Sequence, residues 1–239
     1  MKKKILIVSD EIRSNSGVGK VTRNIVNNLV GRFDFVCISA MLNHPEAGQR
    51  IDISADVNKL MGTTDASVVV YPQSGYGSID LYRHIFAVEK PDAMFLVSDP
   101  RHFIDNIWDH EYEIRKHVPI YYYNLWDGAD GLPLYNLPYY MSVDFLSCIN
   151  KQTYGNIKQL GLKVPVSYVP HGIDSDVFKP VTVPVDFKAK VAPDSEFTVL
   201  YVSRNIKRKH PIDIIIAFEK FAAAVNKPVR LVMHTYREL

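Results

Sequence analysis

Cysteine is scarce in this chain. There are two, Cys37 and Cys148, each inside an apolar run, Phe35 to Ser39 and Phe145 to Ile149. That excludes a disulfide-stapled scaffold and reads as two buried free thiols. Long hydrophobic runs are missing as well, since no stretch approaches the roughly 20 apolar residues of a membrane-spanning helix. The lysine-rich start leads only into Ile5 to Ser9 before it meets Asp10 and Glu11. It is a first strand and not a signal peptide, and a cytoplasmic protein is expected. No excess of one charge is present: 28 Lys and Arg face 26 Asp and Glu. A general affinity for nucleic acid, and with it a base-modifying activity, is therefore disfavoured. The eight histidines are scattered and no paired-cysteine motif occurs, so no metal site is expected. There is no nucleophile elbow and no Ser-His-Asp order. The Gly19-Lys20 pair lacks the upstream glycine of a P-loop and is followed by Val21, where that loop needs Ser or Thr. The third glycine of a dinucleotide fingerprint is absent too. What remains is an ordinary globular composition, 47% hydrophobic and 23% charged over 239 residues.

Present instead is a regular alternation of strand-like and helix-like segments. Apolar strands are expected at 5–9, 33–40, 66–72, 91–99, 118–124, 144–150 and 166–170. Helical spacing runs through Val18, Val21, Ile25 and Leu29, from Ser78 to Val88, from Pro100 to about Lys116, and from Lys151 to Leu160, where Gly161 stops it. Residues 41–65 are less regular. Unbroken apolar strands separated by helices predict an α/β fold with a doubly wound, mostly parallel sheet covered on both faces. Asp174 to Glu196 breaks the pattern with Pro180, Pro184 and Pro193 and reads as a linker. A strand, a helix and a strand follow, the start of a second α/β unit. Such a short unit leaves its sheet faces uncovered, which favours a homo-oligomer.

Open parallel sheets bind ligands beyond the carboxyl ends of their strands, so the loops there are the candidates. The first, Glu11-Ile-Arg-Ser-Asn-Ser-Gly-Val-Gly-Lys20, joins the first strand to the first helix. Gly17 and Gly19 either let the backbone approach a ligand at the helix N-terminus or serve a turn and cap. Asp99 reads as the N-cap of the segment after it. Asp127 follows a strand end, as a cleft acid or a solvated one, and Trp126 beside it either walls a sugar or base or packs. His171 and Gly172 lie just past the strand ending near Pro170, a place that fits a cleft or open solvent.

The densest signal comes late, in Phe197-Thr-Val-Leu-Tyr-Val-Ser-Arg-Asn-Ile-Lys-Arg-Lys-His-Pro211. A strand stops at Ser203, four cations follow (Arg204, Lys207, Arg208 and Lys209), and a helix opens at Pro211. Cations between a strand end and a helix N-terminus suit a phosphorylated ligand such as a nucleotide; the alternative is a solvated helix start. Arg204 and Lys209 are the better placed pair.

Three stretches together resemble glycosyltransferase family 4, whose GT-B fold sets two Rossmann-like domains across a cleft. Ser16-Gly-Val-Gly-Lys20 is similar to its glycine-rich loop. Pro170-His-Gly-Ile-Asp174, with Phe178 and Pro180, is similar to its PNGVDxxxFxP pattern. Ser203-Arg-Asn-Ile-Lys-Arg-Lys-His-Pro211, running on to Phe218, resembles its GRxxxxKGxxxLxxAF motif. The resemblance implies a Rossmann-like acceptor domain over 1–178, a linker over 179–196, and over 197–239 the beginning of a nucleotide-sugar-binding domain. It implies a retaining, metal-independent transfer of a hexose from a nucleotide-diphosphate sugar to the hydroxyl of a carbohydrate or glycoconjugate, with no cofactor. Arg204 and Lys209 would bind the donor diphosphate and stabilise the leaving group. Gly17, Gly19, His171 and Gly172 would line the cleft. Asp127 falls near the family's His-Asp site, with Trp126 where the histidine usually stands. The family's later acidic, glycine-rich donor segment has no counterpart, so a catalytically silent module for acceptor recognition or oligomerisation is the alternative.

Overall fold

The computed structural model describes residues 2–126, 134–182, 184 and 186–236. The chain divides into two compact units, Met1–Ile173 and Asp174–Leu239.

The first unit is built on eight strands: β1 (Lys3–Asp10), β2 (Phe33–Met41), β3 (Ile51–Asp52), β4 (Val68–Ser74), β5 (Ala93–Ser98), β6 (Ile120–Asn124), β7 (Phe145–Cys148) and β8 (Val166–Tyr168). They lie in the order β3-β4-β2-β1-β5-β6-β7-β8. Every pairing is parallel except that of the two-residue β3 with β4. The doubly wound, mostly parallel sheet expected from the sequence is therefore present. From β1 the chain builds outward through β2 to β4, then returns to lay β5 on the other side of β1. The strand order thus reverses between β1 and β5, the crevice where such sheets take ligands.

Period-two alternation sorts the strand residues onto two faces. Leu6, Val8, Val36, Ile38, Met94 and Leu96 meet Tyr82, Ile85 and Phe86 of helix α3 (Ile79–Val88) in one core. The same core takes Tyr140 of α5 (Leu137–Met141) and Ile157 of α6 (Lys151–Gln159). Ile7, Phe35, Cys37, Val68, Val70 and Val97 form the opposite core. It is closed by Val26 of α1 (Gly17–Leu29) and Val57 of α2 (Ser54–Met61). Each fully buried aliphatic or aromatic side chain here contributes on the order of 1.5–3 kcal/mol. Both cysteines are buried free thiols, Cys37 on one face and Cys148 on the other.

One expected helix is not continuous. Residues 100–116 form two short 3-10 turns, Pro100–Phe103 and Trp108–His110, and a single α-turn, α4 (Glu111–Ile114). Phe103, Ile107 and Ile114 are all fully buried, so the spacing that suggested a helix is real. The Trp108 indole N–H, however, donates back to the Pro100 carbonyl at 2.7 Å and folds the segment onto itself.

In the second unit β9 (Phe197–Val202) and β10 (Val229–His234) pair in parallel around α8 (Pro211–Ala224). A short helix, α7 (Phe187–Val191), precedes them within the proline-rich stretch. Leu200, Val202, Ile212, Ile215 and Ile216 are exposed. Among the described residues no helix is long and apolar enough to cross a membrane.

Candidate functional site

The loop after β1 folds on its own hydrogen bonds. Ser16 is the N-cap of α1, and its hydroxyl oxygen accepts the Gly19 N–H at 2.9 Å. The Glu11 carbonyl accepts both the N–H and the hydroxyl of Ser14, at 3.1 and 2.7 Å. A Cβ on Gly19 would lie 2.3 Å from that carbonyl and 2.9 Å from Ser16 Oγ, so Gly19 is required by the loop itself. A Cβ on Gly17 would meet nothing within 4 Å, and the same holds for Gly172.

Beside this loop sits a buried ionic group. Glu11 takes a two-pronged contact from Arg13, Nε to Oε1 and Nη2 to Oε2, both at 2.9 Å. It also takes His44 Nε2 on Oε2 at 2.7 Å, while Arg13 reaches on to Glu46 at 2.7 Å. The Glu46 N–H donates to His44 Nδ1 at 3.1 Å, so the ring proton of His44 lies on Nε2, toward Glu11. Burial pushes the Glu11 carboxyl up, but the Arg13 and His44 hydrogen bonds outweigh it and hold the group below its ordinary value.

At the strand-order reversal stands a constellation that the sequence reading missed. Tyr76 projects from the loop after β4, between Gly75 (φ 103°) and Gly77 (φ 87°), two left-handed positions that favour glycine. Its phenol donates to Asp10 Oδ1 at 2.6 Å, at the end of β1, and lies 3.0 Å from Ser98 Oγ, at the end of β5. The other carboxylate oxygen of Asp10 accepts the Ser16 hydroxyl at 3.1 Å. The ring of Tyr76 stacks on His102 (centroids 5.1 Å apart) and meets Phe103 edge-on at 5.2 Å. Burial and the Asp10 carboxylate raise the phenol well above its ordinary value, so it stays a neutral donor. The Gly-Tyr-Gly triplet is the sequence signal that marks this loop.

Asp99 is the N-cap expected of it: its carboxylate accepts the Arg101 N–H at 2.9 Å and pairs with the Arg101 guanidinium at 2.6 Å. That guanidinium stands over the Trp126 indole, 5.0 Å from the ring centroid. The backbone of Trp126 is held at both ends. Its N–H donates to Asn124 Oδ1 at 3.2 Å, and its carbonyl accepts Thr153 Oγ1 at 2.7 Å. Asn124 and Thr153 are themselves buried. Asp127 lies outside the described residues.

His171 and Gly172 are exposed beyond β8. The His171 ring lies 5.5 Å from that of Tyr123, and partial burial of the imidazole holds it below its ordinary value. They share the carboxyl edge of the sheet with Gly17 and Gly19, but β5, β6 and β7 intervene. Four strand spacings amount to roughly 19 Å. The first unit therefore does not gather these residues into one small pocket. An apolar cleft of about 100 Å³ between α1 and α2, lined by Ile12, Val26, Val57 and Leu60, is too small for the purpose. Small-molecule pockets run to roughly 300–1,000 Å³.

In the second unit, Lys207–Lys209 form a 3-10 turn between β9 and α8, ending on His210 in the left-handed region (φ 51°). The Tyr201 hydroxyl fixes that turn by donating to the Lys209 carbonyl at 2.9 Å. Pro211 opens α8, and the acid of its first turn, Asp213, is engaged by His210 at 2.8 Å. Arg204, Lys207, Arg208 and Lys209 are exposed, and none pairs with a carboxylate among the described residues.

No protein-family model matches this sequence, and no curated protein matches it. Solved structures do. Anabaena HepE in complex with UDP and glucose superposes with a TM-score of 0.58 at 13% identity, over 97% of this chain and 60% of its own. The Escherichia coli trehalose-6-phosphate structure bound with UDP-2-fluoro glucose gives 0.56 at 13%, over 98% and 65%. UDP-N-acetylglucosamine 2-epimerase from Rickettsia bellii gives 0.54 at 13%, over 98% and 62%. The fold is GT-B-like. The chain spans less than two thirds of the length of these three structures. At such low identity the GT-B likeness concerns the fold alone, and it does not single out family 4.

Proposed function

We propose that this chain binds a nucleotide-diphosphate sugar and serves the transfer of its hexose to an acceptor hydroxyl, with retention at the anomeric carbon and without a metal ion or cofactor. The observation that carries this reading is the set of four exposed cations between β9 and the first turn of α8, none of which makes an ion pair among the described residues. First-turn N–H groups lack intrahelical partners, and the helix dipole adds positive potential. Arg204 and Lys209 are the pair assigned to the diphosphate. Negative charge grows on the leaving diphosphate as the glycosidic bond breaks, so fixed cations there favour the transition state over the ground state. The neighbours in this fold that were solved with UDP or a UDP-sugar support the choice of ligand. Gly17, Gly19, His171 and Gly172 are assigned to the ligand-facing edge of the first unit, and Asp127 to the acceptor side.

The test is calorimetric titration with UDP and with uridine. UDP should bind and uridine should not. Arg204→Ala and Lys209→Ala should each weaken UDP by about 10- to 100-fold, the range for a charge-assisted phosphate contact of about 1.5–3 kcal/mol. Equal affinity for UDP and uridine would overturn the assignment. With UDP-glucose as donor, the anomeric configuration of the product reads out retention, and an unchanged rate in chelator reads out metal independence.

A silent module for acceptor recognition or self-association is the second reading, favoured by the exposed apolar side chains of β9 and α8. Concentration-independent sedimentation as a monomer, together with turnover of UDP-glucose, would exclude it.

A further inference from the structure

The loops at the carboxyl edge of the first unit carry several acids, and all but one of those described above are neutralised. Glu11 is held by Arg13 and His44, Glu46 by Arg13, and Asp99 by Arg101. Asp10 is the exception: among the described residues it makes no ion pair. Its contacts are two hydroxyls, Tyr76 on Oδ1 at 2.6 Å and Ser16 on Oδ2 at 3.1 Å. A carboxylate offers about four lone-pair sites, so roughly two remain for an incoming donor. The group is half-buried at the end of β1, beside the reversal between β1 and β5.

We propose that Asp10 is an acceptor-binding residue, taking the hydrogen bond of a hydroxyl on an uncharged sugar, and that Tyr76 is its positioning residue. This rests on the reading of the chain as serving glycosyl transfer. The chemistry of the place sets the ligand class. A carboxylate beside hydroxyls whose own hydrogens are already donated within the cluster takes hydrogen bonds from a polyol. It repels a phosphate or carboxylate set against it, so an anionic group at this point of the acceptor is selected against.

The effort spent on placing Tyr76 supports its role. Two left-handed glycines, the Tyr82 phenol on the Tyr76 carbonyl, a stacked His102 and an edge-on Phe103 all fix one side chain. A tyrosine that only filled space would need no such aim at the oxygen of a half-buried carboxylate. With its hydrogen donated in the bond to Asp10, the phenol accepts from Ser98, so the carboxylate is oriented by a chain of neutral hydroxyls.

The test uses the full chain, with saturation-transfer NMR against glucose, galactose, mannose, N-acetylglucosamine and glucose 6-phosphate, and UDP calorimetry alongside. At least one neutral hexose should bind wild type, and glucose 6-phosphate should bind no better than glucose. Asp10→Asn, nearly isosteric, should weaken the hexose about 10-fold or more, as loss of a charged hydrogen-bond partner does. Tyr76→Phe keeps the ring against His102 and Phe103 and should weaken it about 3- to 10-fold. Both variants should keep the wild-type UDP affinity and urea midpoint, which a merely structural role would not separate from hexose affinity. Wild-type hexose binding in both variants, or no hexose binding by wild type, overturns the inference. Absence of UDP binding in every form overturns the donor reading instead and leaves the hexose result to stand by itself.

Discussion

Replacing Gly19 by alanine tests how rigid the loop after β1 is. The added Cβ would sit 2.3 Å from the Glu11 carbonyl, 2.9 Å from Ser16 Oγ and 3.0 Å from Ser14 Oγ. The nearest of these is backbone and cannot rotate away. Moving it also disturbs the two Ser14 bonds that it accepts, at 3.1 and 2.7 Å. Overpacking of this kind costs about 1–3 kcal/mol. Displacing Ser16 weakens the α1 cap by about 1 kcal/mol more. A loss of about 2–4 kcal/mol corresponds to a fall in Tm of roughly 5–15 °C for a unit of this size. Gly17→Ala is the control: its Cβ enters open space, and helix propensity makes it neutral or stabilising by up to about 1 kcal/mol. Circular dichroism melts of the three proteins decide the matter. If Gly19→Ala melts within about 2 °C of Gly17→Ala, the loop yields freely and the steric argument is wrong.

Acid should destabilise the first unit through Glu11, Glu89 and Asp99. For Glu89 and Asp99, as for Glu11, burial raises the carboxyl, but the hydrogen bonds it accepts outweigh this and hold it below its ordinary value. Their contribution is complete above the unfolded values near 4 and is lost as pH falls through the lower folded ones. The urea midpoint should be nearly flat from pH 7 to about 5 and then drop, and Glu89→Gln should blunt the drop. Burial pushes the Cys148 thiol up to about 12 and Cys37 higher still. Neither should react with Ellman's reagent in the native protein, and both should react in denaturant; fast native labelling would contradict their burial. Phe103→Ala removes a fully buried ring that meets Tyr76, Trp108 and Tyr122, and should cost about 3–5 kcal/mol by urea titration.

The sheet was legible because its strands are unbroken apolar runs. Leu6 and Val8 face one core and Ile7 the other, and a strand buried on both faces is apolar along most of its length, with the buried serines and Asn124 towards the carboxyl ends. Residues 100–116 misled for a definable reason. Phe103, Ile107 and Ile114 keep helical spacing, yet a single indole-to-carbonyl bond turns the chain back at Pro100. The glycine loop was visible, though the cause of Gly19 was not, since the Glu11 carbonyl that fills its side-chain space is a contact rather than a pattern. Asp10 and Tyr76 were invisible as a pair. Nothing local links a strand-end aspartate to a loop tyrosine that only the β2–β4 excursion brings back to it.

The reversal of strand order also carries a kinetic consequence. In β1, Ile5 lies beside Phe35 on one side and Ala93 on the other. On a ribosome the first strand can therefore gain one neighbour early, while its other edge waits for residues near 98. Until then Leu6, Ile7 and Val8 belong to an open, aggregation-prone margin, and β6, β7 and β8 can add only afterwards, one at a time. The Asp10–Tyr76–Ser98 bridge spans the seam between β1 and β5. The crevice offered to a ligand is thus also the joint where the two halves of the sheet meet, and its closure covers the second edge of β1.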